Sequence, residues 1–238
     1  MEEKMENIFY ANSMQFEILR PLAKWRILDL ASLLELGEIP GSYWTLQKII
    51  RRFEKGKIIK TYRDPWNGKK YVYLDTFGHK LIGKEMGEIA NETLMHDSKA
   101  SEVVRAMLKR PCFRKAMLEH DLRRQQMRHV PDAVVEGEKN GAAFKMALEL
   151  ELTRKSFDRL KAKARFYIES SDYDYALYLF CHSGLRDHYR DYLDETFGTK
   201  WRSSIFLFSN TTILSRQLDL SEGVGFYEGK EVRFDEVF

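Results

Sequence analysis

Asn140-Gly141 stands between PDAVVEG (131–137) and AAFKMALELELT (142–153), the second of which alternates apolar and polar side chains. An Asn-Gly pair so flanked is a strong hairpin signal, because both residues accept the positive φ that the turn demands. In the second strand Leu148, Leu150 and Leu152 then face one way and Glu149 and Glu151 the other, the two carboxylates roughly 7 Å apart. On a wet edge strand such glutamates are ordinary solvent groups. In an interior strand they need partners.

The flanks predict what kind of strand it is. Beyond the hairpin a helix over KSFDRLKAKARFYIES (155–170) precedes a strand, DYALYLFCH, a helix, GLRDHYRDYLDETF, and a further apolar strand, SSIFLFSN. Before it, SKASEVVRAMLKRP (98–111) reads as a helix ended by Pro111, and RKAMLEHDLRRQQMR (114–128) as another. Strands and helices alternating at this length imply a mixed central sheet flanked by helices, an α/β or α+β domain over residues 89–238. The tail GVGFYEGKEVRFDEVF is left open, as strands that finish the sheet or as something else.

Residues 1–88 form a separate unit. KWRILDLASLLELG (24–37) carries a helical stripe of Ile27, Leu28, Leu30, Leu33, Leu34 and Leu36 stopped by Gly37. PGSYWTLQKIIRRFEKG (40–56) supplies a second helix, with Ser42 as N-cap and Gly56 as stop. KIIKTYRD and KYVYLDT, joined through Asn67-Gly68, read as a hairpin, and YLDTFGHKLI closes the unit. Helix, helix, hairpin is the order of a winged helix-turn-helix. In that arrangement the second helix enters the major groove and the hairpin touches the backbone. Gln47, Lys48, Arg51 and Arg52 on the helix, with Arg63, Trp66, Asn67, Lys69 and Lys70 around the hairpin tip, are the DNA-binding candidates. A charge run that merely solvates an amphipathic helix would look the same. KEMGEIANETLMHD (84–97) is a linker or connecting helix.

The charge balance narrows the partners. With 39 basic and 36 acidic residues in 238, no global field marks a nucleic-acid binder, so any basic surface is local. Cys112 and Cys181 lie far apart without metal spacing, no apolar run approaches a membrane span, and MEEKMENIFY lacks a leader's pattern. A bacterial cytoplasmic protein with free thiols is expected.

Asp132, one hairpin strand before Glu149, brings a third carboxylate within strand-pairing distance, about 4.8 Å between chains. Like charges that close repel unless a cation joins them. Three hard oxygen donors suit Mg²⁺ or Mn²⁺ rather than zinc. Lys155 follows, placed to aim an ammonium at a phosphate.

Pro131-Asp132 followed by Glu149-Leu150-Glu151 resembles the PD-(D/E)xK nuclease motif, with glutamate where its lysine stands, so that Glu151 or Lys155 would take the missing role. The order of a winged helix, MHDSKASEVV, PDAVVEG, ALELELTRKSFDR and SSDYDYALYLF is similar to the replication-relaxation family, which includes the C-type mobilisation relaxases of plasmids. That resemblance implies a restriction-endonuclease-like second domain. It also implies that His96 and Asp97 are the histidine-acid pair ahead of the nuclease helix, and that Glu102 is a helix carboxylate reaching the metal. Asp132, Glu149 and Glu151 would be the metal ligands and catalytic core, with Lys155 and Arg159 beside them. The expected activity is metal-assisted hydrolysis of a phosphodiester, by a strand-specific nick at an origin of transfer, with Glu151 or His96 accepting the proton of water. Expected partners are double-stranded DNA with an origin-like site and relaxosome accessory and coupling proteins; a homodimer is left open. A catalytically inactive, nuclease-like regulator of replication or transcription is the alternative, and an endonuclease that cuts both strands a third reading.

Several residues have plainer accounts. His96 before a helix can be a cap, Glu102 and Glu119 can be solvated surface, and Lys155 and Arg159 can line a helix face. His120 and His129 read as structural. Tyr167, in an aromatic apolar stretch, reads as core rather than as a covalent nucleophile.

Overall fold

The computed structural model describes residues 13–37, 42–83, 89–125 and 129–238. The chain divides into two compact units, Met1–Leu94 and Met95–Phe238.

In the first unit, α1 (Ser13–Trp25) is followed by β1 (Ile27–Asp29), α2 (Leu30–Leu36), α3 (Tyr43–Lys55), the strands β2 (Ile59–Arg63) and β3 (Lys70–Leu74), and α4 (Thr76–Ile82). The strands form an antiparallel sheet in the order β1-β3-β2. The single helix expected over 24–37 is corrected. Arg26 takes a left-handed φ of 65°, which ends α1, and Ile27–Asp29 pair with Tyr71–Tyr73. Asp29 then caps α2, its carboxylate accepting the N–H groups of Ala31 and Ser32 at 3.0 and 3.1 Å. Of the apolar stripe Ile27, Leu28, Leu30 and Leu33 are buried while Leu36 is exposed, and the stripe gave no sign of this break. In α3, Leu46, Ile50 and Phe53 recur at helical spacing and are buried, so the opposite face is solvent's. Ser42 holds the N-cap position without a side-chain cap bond, and Gly56 ends the helix.

The second unit runs α5 (Leu94–Leu108), β4 (Phe113–Leu118), the single turn α6 (Glu119–Leu122), β5 (Ala133–Lys139), β6 (Ala142–Glu151), α7 (Phe157–Glu169), β7 (Tyr175–Phe180), α8 (Ser183–Phe197), β8 (Ile205–Ser209), β9 (Val224–Tyr227), β10 (Lys230–Arg233) and α9 (Phe234–Val237). Its strands make one mixed sheet in the order β10-β9-β8-β7-β6-β5-β4. β4, β5 and β6 form an antiparallel meander, β6, β7 and β8 are parallel through α7 and α8, and the tail supplies two antiparallel strands beside β8. Asn140 and Gly141, at φ 53° and 78°, turn the chain between β5 and β6.

The helix expected over 114–128 is also corrected. Residues up to Leu118 are a strand, because Ala116 and Leu118 pair with Val135 and Ala133 along the edge of the sheet, a tertiary pairing that outweighs local helix preference. Residues 126–128 of that segment lie outside the described residues.

Inward side chains of α7 (Leu160, Ala164, Tyr167) and α8 (Leu185, Tyr189, Leu193) pack with Val134, Ala147, Ala176, Tyr178, Phe180 and Leu207 of the sheet in one buried cluster. Each fully buried side chain of this size contributes about 1.5–3 kcal/mol relative to exposure. Close packing extends to the meander, where a Cβ on Gly137 would stand 2.2 Å from the Cys112 carbonyl oxygen and 2.4 Å from Phe144 Cζ. Gly137→Ala is therefore expected to lower the unfolding free energy by about 1–3 kcal/mol, read as a lower urea midpoint. An unchanged midpoint would contradict that packing. No helix among the described residues is long and apolar enough to cross a membrane.

Candidate functional site

β6 lies between β5 and β7, so Glu149 and Glu151 are not on an edge; they are 1% and 4% exposed. Ala133 pairs with Leu148, and one step further along the register Asp132 stands opposite Glu149. Alternation places Asp132, Glu149 and Glu151 on the face of Val134 and Ala147, the face covered by α7 and α8. The three acids expected from the sequence share one face at one end of two neighbouring strands.

Asp132 is held from two sides. Its Oδ2 accepts the Leu150 N–H at 2.7 Å and lies 3.3 Å from His96 Nε2, which also donates to the Leu150 carbonyl oxygen at 3.0 Å. His96 Nδ1 is 3.9 Å from Asp97 Oδ1. Burial works against a charged imidazole, but the two aspartates outweigh it and push His96 up to about 11. The same pairing, together with the Leu150 N–H, overcomes burial at Asp132 and holds its carboxyl below the usual range.

Glu149 is held from the helix. Lys163 Nζ and Tyr167 Oη, one turn apart on α7, reach its two carboxylate oxygens at 2.5 Å each. Burial, and after it the charge of Asp132, nevertheless push Glu149 up to about 7. Burial likewise lifts Glu151 to about 7 against the pull of Lys155, whose ammonium is 3.9 Å away. Glu151 Oε2 is buried without a hydrogen-bond partner among the described residues, and so is the hydroxyl of Tyr178, which pairs with Glu149 across β6 and β7.

The other expected residues fall as follows. Lys155 sits in the loop between β6 and α7, its N–H donating to Tyr189 Oη at 3.3 Å, and Arg159 is exposed near the start of α7. Glu102 lies further along α5, paired with Lys99 at 3.2 Å. Glu119 pairs with Arg123, and His129 packs on the Phe166 ring. Tyr167 is 3% exposed in an aromatic cluster with Tyr173 and Tyr178, and burial raises its hydroxyl far above the ordinary value. It is a neutral donor to Glu149. Lys163 and Tyr167 were missed as site residues. Lys163 follows Leu160 by three residues and precedes Tyr167 by four, so a cation on the inward face of an amphipathic helix was the available signal.

Could these residues hold an ion? The donors are all hard oxygens, and Glu151 Oε2 is buried with no hydrogen bond, facing the Lys155 ammonium at 3.9 Å. As the side chains stand, no three His, Cys, Asp or Glu groups converge at ion-binding spacing among the described residues. Asp132 Oδ2 is engaged by the Leu150 N–H and lies beside His96, and both oxygens of Glu149 are engaged by Lys163 and Tyr167.

In the first unit, Lys48, Arg51 and Arg52 are exposed on α3 and Gln47 is half-buried. At the hairpin tip Trp66 is 66% exposed, Arg63 donates to the Gly68 carbonyl oxygen at 2.9 Å, and Asn67 Oδ1 accepts the N–H of Lys69. Lys70 is not free for a ligand; it pairs with Glu54 at 3.2 Å.

No protein-family model matches the chain, and no curated protein matches it.

Proposed function

We propose that the protein is a divalent-cation-dependent DNA endonuclease, its first unit a winged helix that binds DNA and its second a restriction-endonuclease-like domain that cuts one strand, as a relaxase does at a plasmid origin of transfer. One observation carries this reading: Asp132, Glu149 and Glu151 share a buried face at the ends of two paired strands, with one carboxylate oxygen unsatisfied.

Mg²⁺ or Mn²⁺ held by Asp132 and Glu151, with Glu149 as the third ligand, would polarise the phosphoryl group and acidify a water. The chain's own residues supply the rest. His96, 3.3 Å from Asp132 Oδ2 and bonded to the Leu150 carbonyl oxygen, orients Asp132. Glu151, whose Oε2 makes no hydrogen bond, would be the carboxylate nearest to hand to accept the proton of the attacking water. The water oxygen would bond to phosphorus as the bond to the leaving deoxyribose oxygen breaks. Lys163, rather than Lys155, takes the part of the absent motif lysine. Displaced from Glu149, its ammonium is free to face the charge that develops on the phosphoryl oxygens.

A second reading has its own observation. Both oxygens of Glu149 are engaged by Lys163 and Tyr167, as they would be in an inactive, nuclease-like regulator of replication or transcription. Incubation of supercoiled plasmid carrying candidate origins with the protein and Mg²⁺ or Mn²⁺ separates the two. Open-circular product is expected. Linear product would mark an enzyme cutting both strands, and retarded but uncut plasmid would favour the regulator.

A further inference from the structure

The exposed face of α3 carries more than charge. Trp44, Lys48, Arg51 and Lys55 follow one another at spacings of four, three and four, so they form a single stripe opposite the buried Leu46, Ile50 and Phe53. Trp44 is 72% exposed and its neighbour Tyr43 43%. None of Lys48, Arg51 and Lys55 has an ion-pair partner among the described residues.

The hairpin tip repeats the pattern with a second indole. Trp66, 66% exposed, is held out by a turn with little freedom. The wholly buried Asp64 accepts the N–H of Trp66 at 2.8 Å, the Gly68 N–H donates to the Asp64 carbonyl oxygen at 2.9 Å, and Asn67 is tied to Tyr71 Oη at 3.3 Å. A side chain displayed by so fixed a turn is presented, not stray. The remaining two tryptophans, Trp25 and Trp201, are 7% and 2% exposed.

An exposed indole is an apolar face on which a base can stack. Two exposed indoles, one of them beside the unpaired cations of α3, match one chemistry in particular: a polyanion whose flat apolar faces are open. Intact duplex offers phosphates to Lys48, Arg51 and Lys55 but keeps its base faces stacked and closed. A single strand offers both. Building on the reading that the first unit binds DNA, we propose that this unit grips DNA with unstacked bases, with Trp44 and Trp66 each stacking on a base and the α3 cations following the phosphates. It would then hold a melted or displaced strand for a second unit that cuts one strand.

The two exposed tryptophans report on this directly. The full-length protein, kept in EDTA so that nothing is cut, is titrated with an oligothymidylate and with a duplex of the same length while tryptophan emission is followed. Strong quenching and tighter binding are expected with the single strand. Trp44→Ala and Trp66→Ala should each weaken it about tenfold, a typical cost of removing one stacking partner, with duplex binding nearly unchanged. Both sites are on the surface, so unaltered circular dichroism and melting will show each variant folded. Single-strand affinity unchanged in both variants, or duplex bound as tightly as the single strand without quenching, would overturn the stacking proposal and leave the first unit a DNA binder. Failure of the wild-type protein to bind either DNA would remove that reading as well.

Discussion

Asp132→Asn is expected to slow metal-dependent nicking of supercoiled plasmid by at least about a hundredfold, the scale on which loss of one preorganised charge-stabilising group is felt. The substitution isolates charge from shape. An asparagine Oδ1 still accepts the Leu150 N–H that Asp132 takes at 2.7 Å, so the end of β6 keeps its cap. What goes is the negative charge that holds His96 protonated and that would hold a cation beside Glu149 and Glu151. The rate of open-circular product at saturating Mn²⁺, beside a melting curve, is the measurement. A variant that melts like the wild type and nicks at the wild-type rate would remove Asp132 from the chemistry.

The second large effect is on stability, with its sign set by the buried acids. In EDTA the protein should become less stable as the pH rises from about 5 to about 9. Glu149 and Glu151, raised from 4.5 to about 7, bind protons more tightly folded than unfolded. Their contribution is complete below 4.5 and disappears as the pH passes through 7. His96, raised from 6.5 to about 11, acts in the same direction at higher pH, its contribution complete below 6.5 and lost toward 11. Asp132, lowered from 3.8, acts on the acid side alone, contributing above that value and ceasing to as the pH falls below it. Thermal melts across the range check this, and Glu149→Gln and Glu151→Gln should each flatten the slope. A melting temperature that rises between pH 5 and 8 would contradict the buried, proton-hungry glutamates.

The sheet was legible where local rules and tertiary pairing agree. Asn140-Gly141 marked the hairpin, and the apolar runs at 175–180 and 205–209 became the parallel strands β7 and β8. It was illegible where pairing partners decide. Ile27–Asp29 and Phe113–Leu118 are strands only because Tyr71–Tyr73 and Ala133–Gly137 lie beside them, and neither run betrays that on its own. The site divides the same way. Strand periodicity put Glu149 and Glu151 on one face, since alternation is a local property, and pairing across the hairpin brought Asp132 to them. The cation that reaches Glu149 comes from a helix, and which of Lys155, Arg159 and Lys163 turns inward depends on how α7 lies on the sheet. His96 was legible as a residue to watch. Its protonation was not, because that follows from contacts to Asp132 and the Leu150 carbonyl, 36 and 54 residues away in sequence.

The claim on which the reading rests is that these three carboxylates serve a single cation, and equilibrium binding of Mn²⁺ at pH 8, followed by its electron paramagnetic resonance signal, measures that most directly. Uptake of one ion per chain by the wild type, with binding weakened at least about tenfold in Asp132→Asn and Glu151→Gln, is the expected result. A wild-type protein that takes up no ion, or variants that take it up equally well, would contradict it.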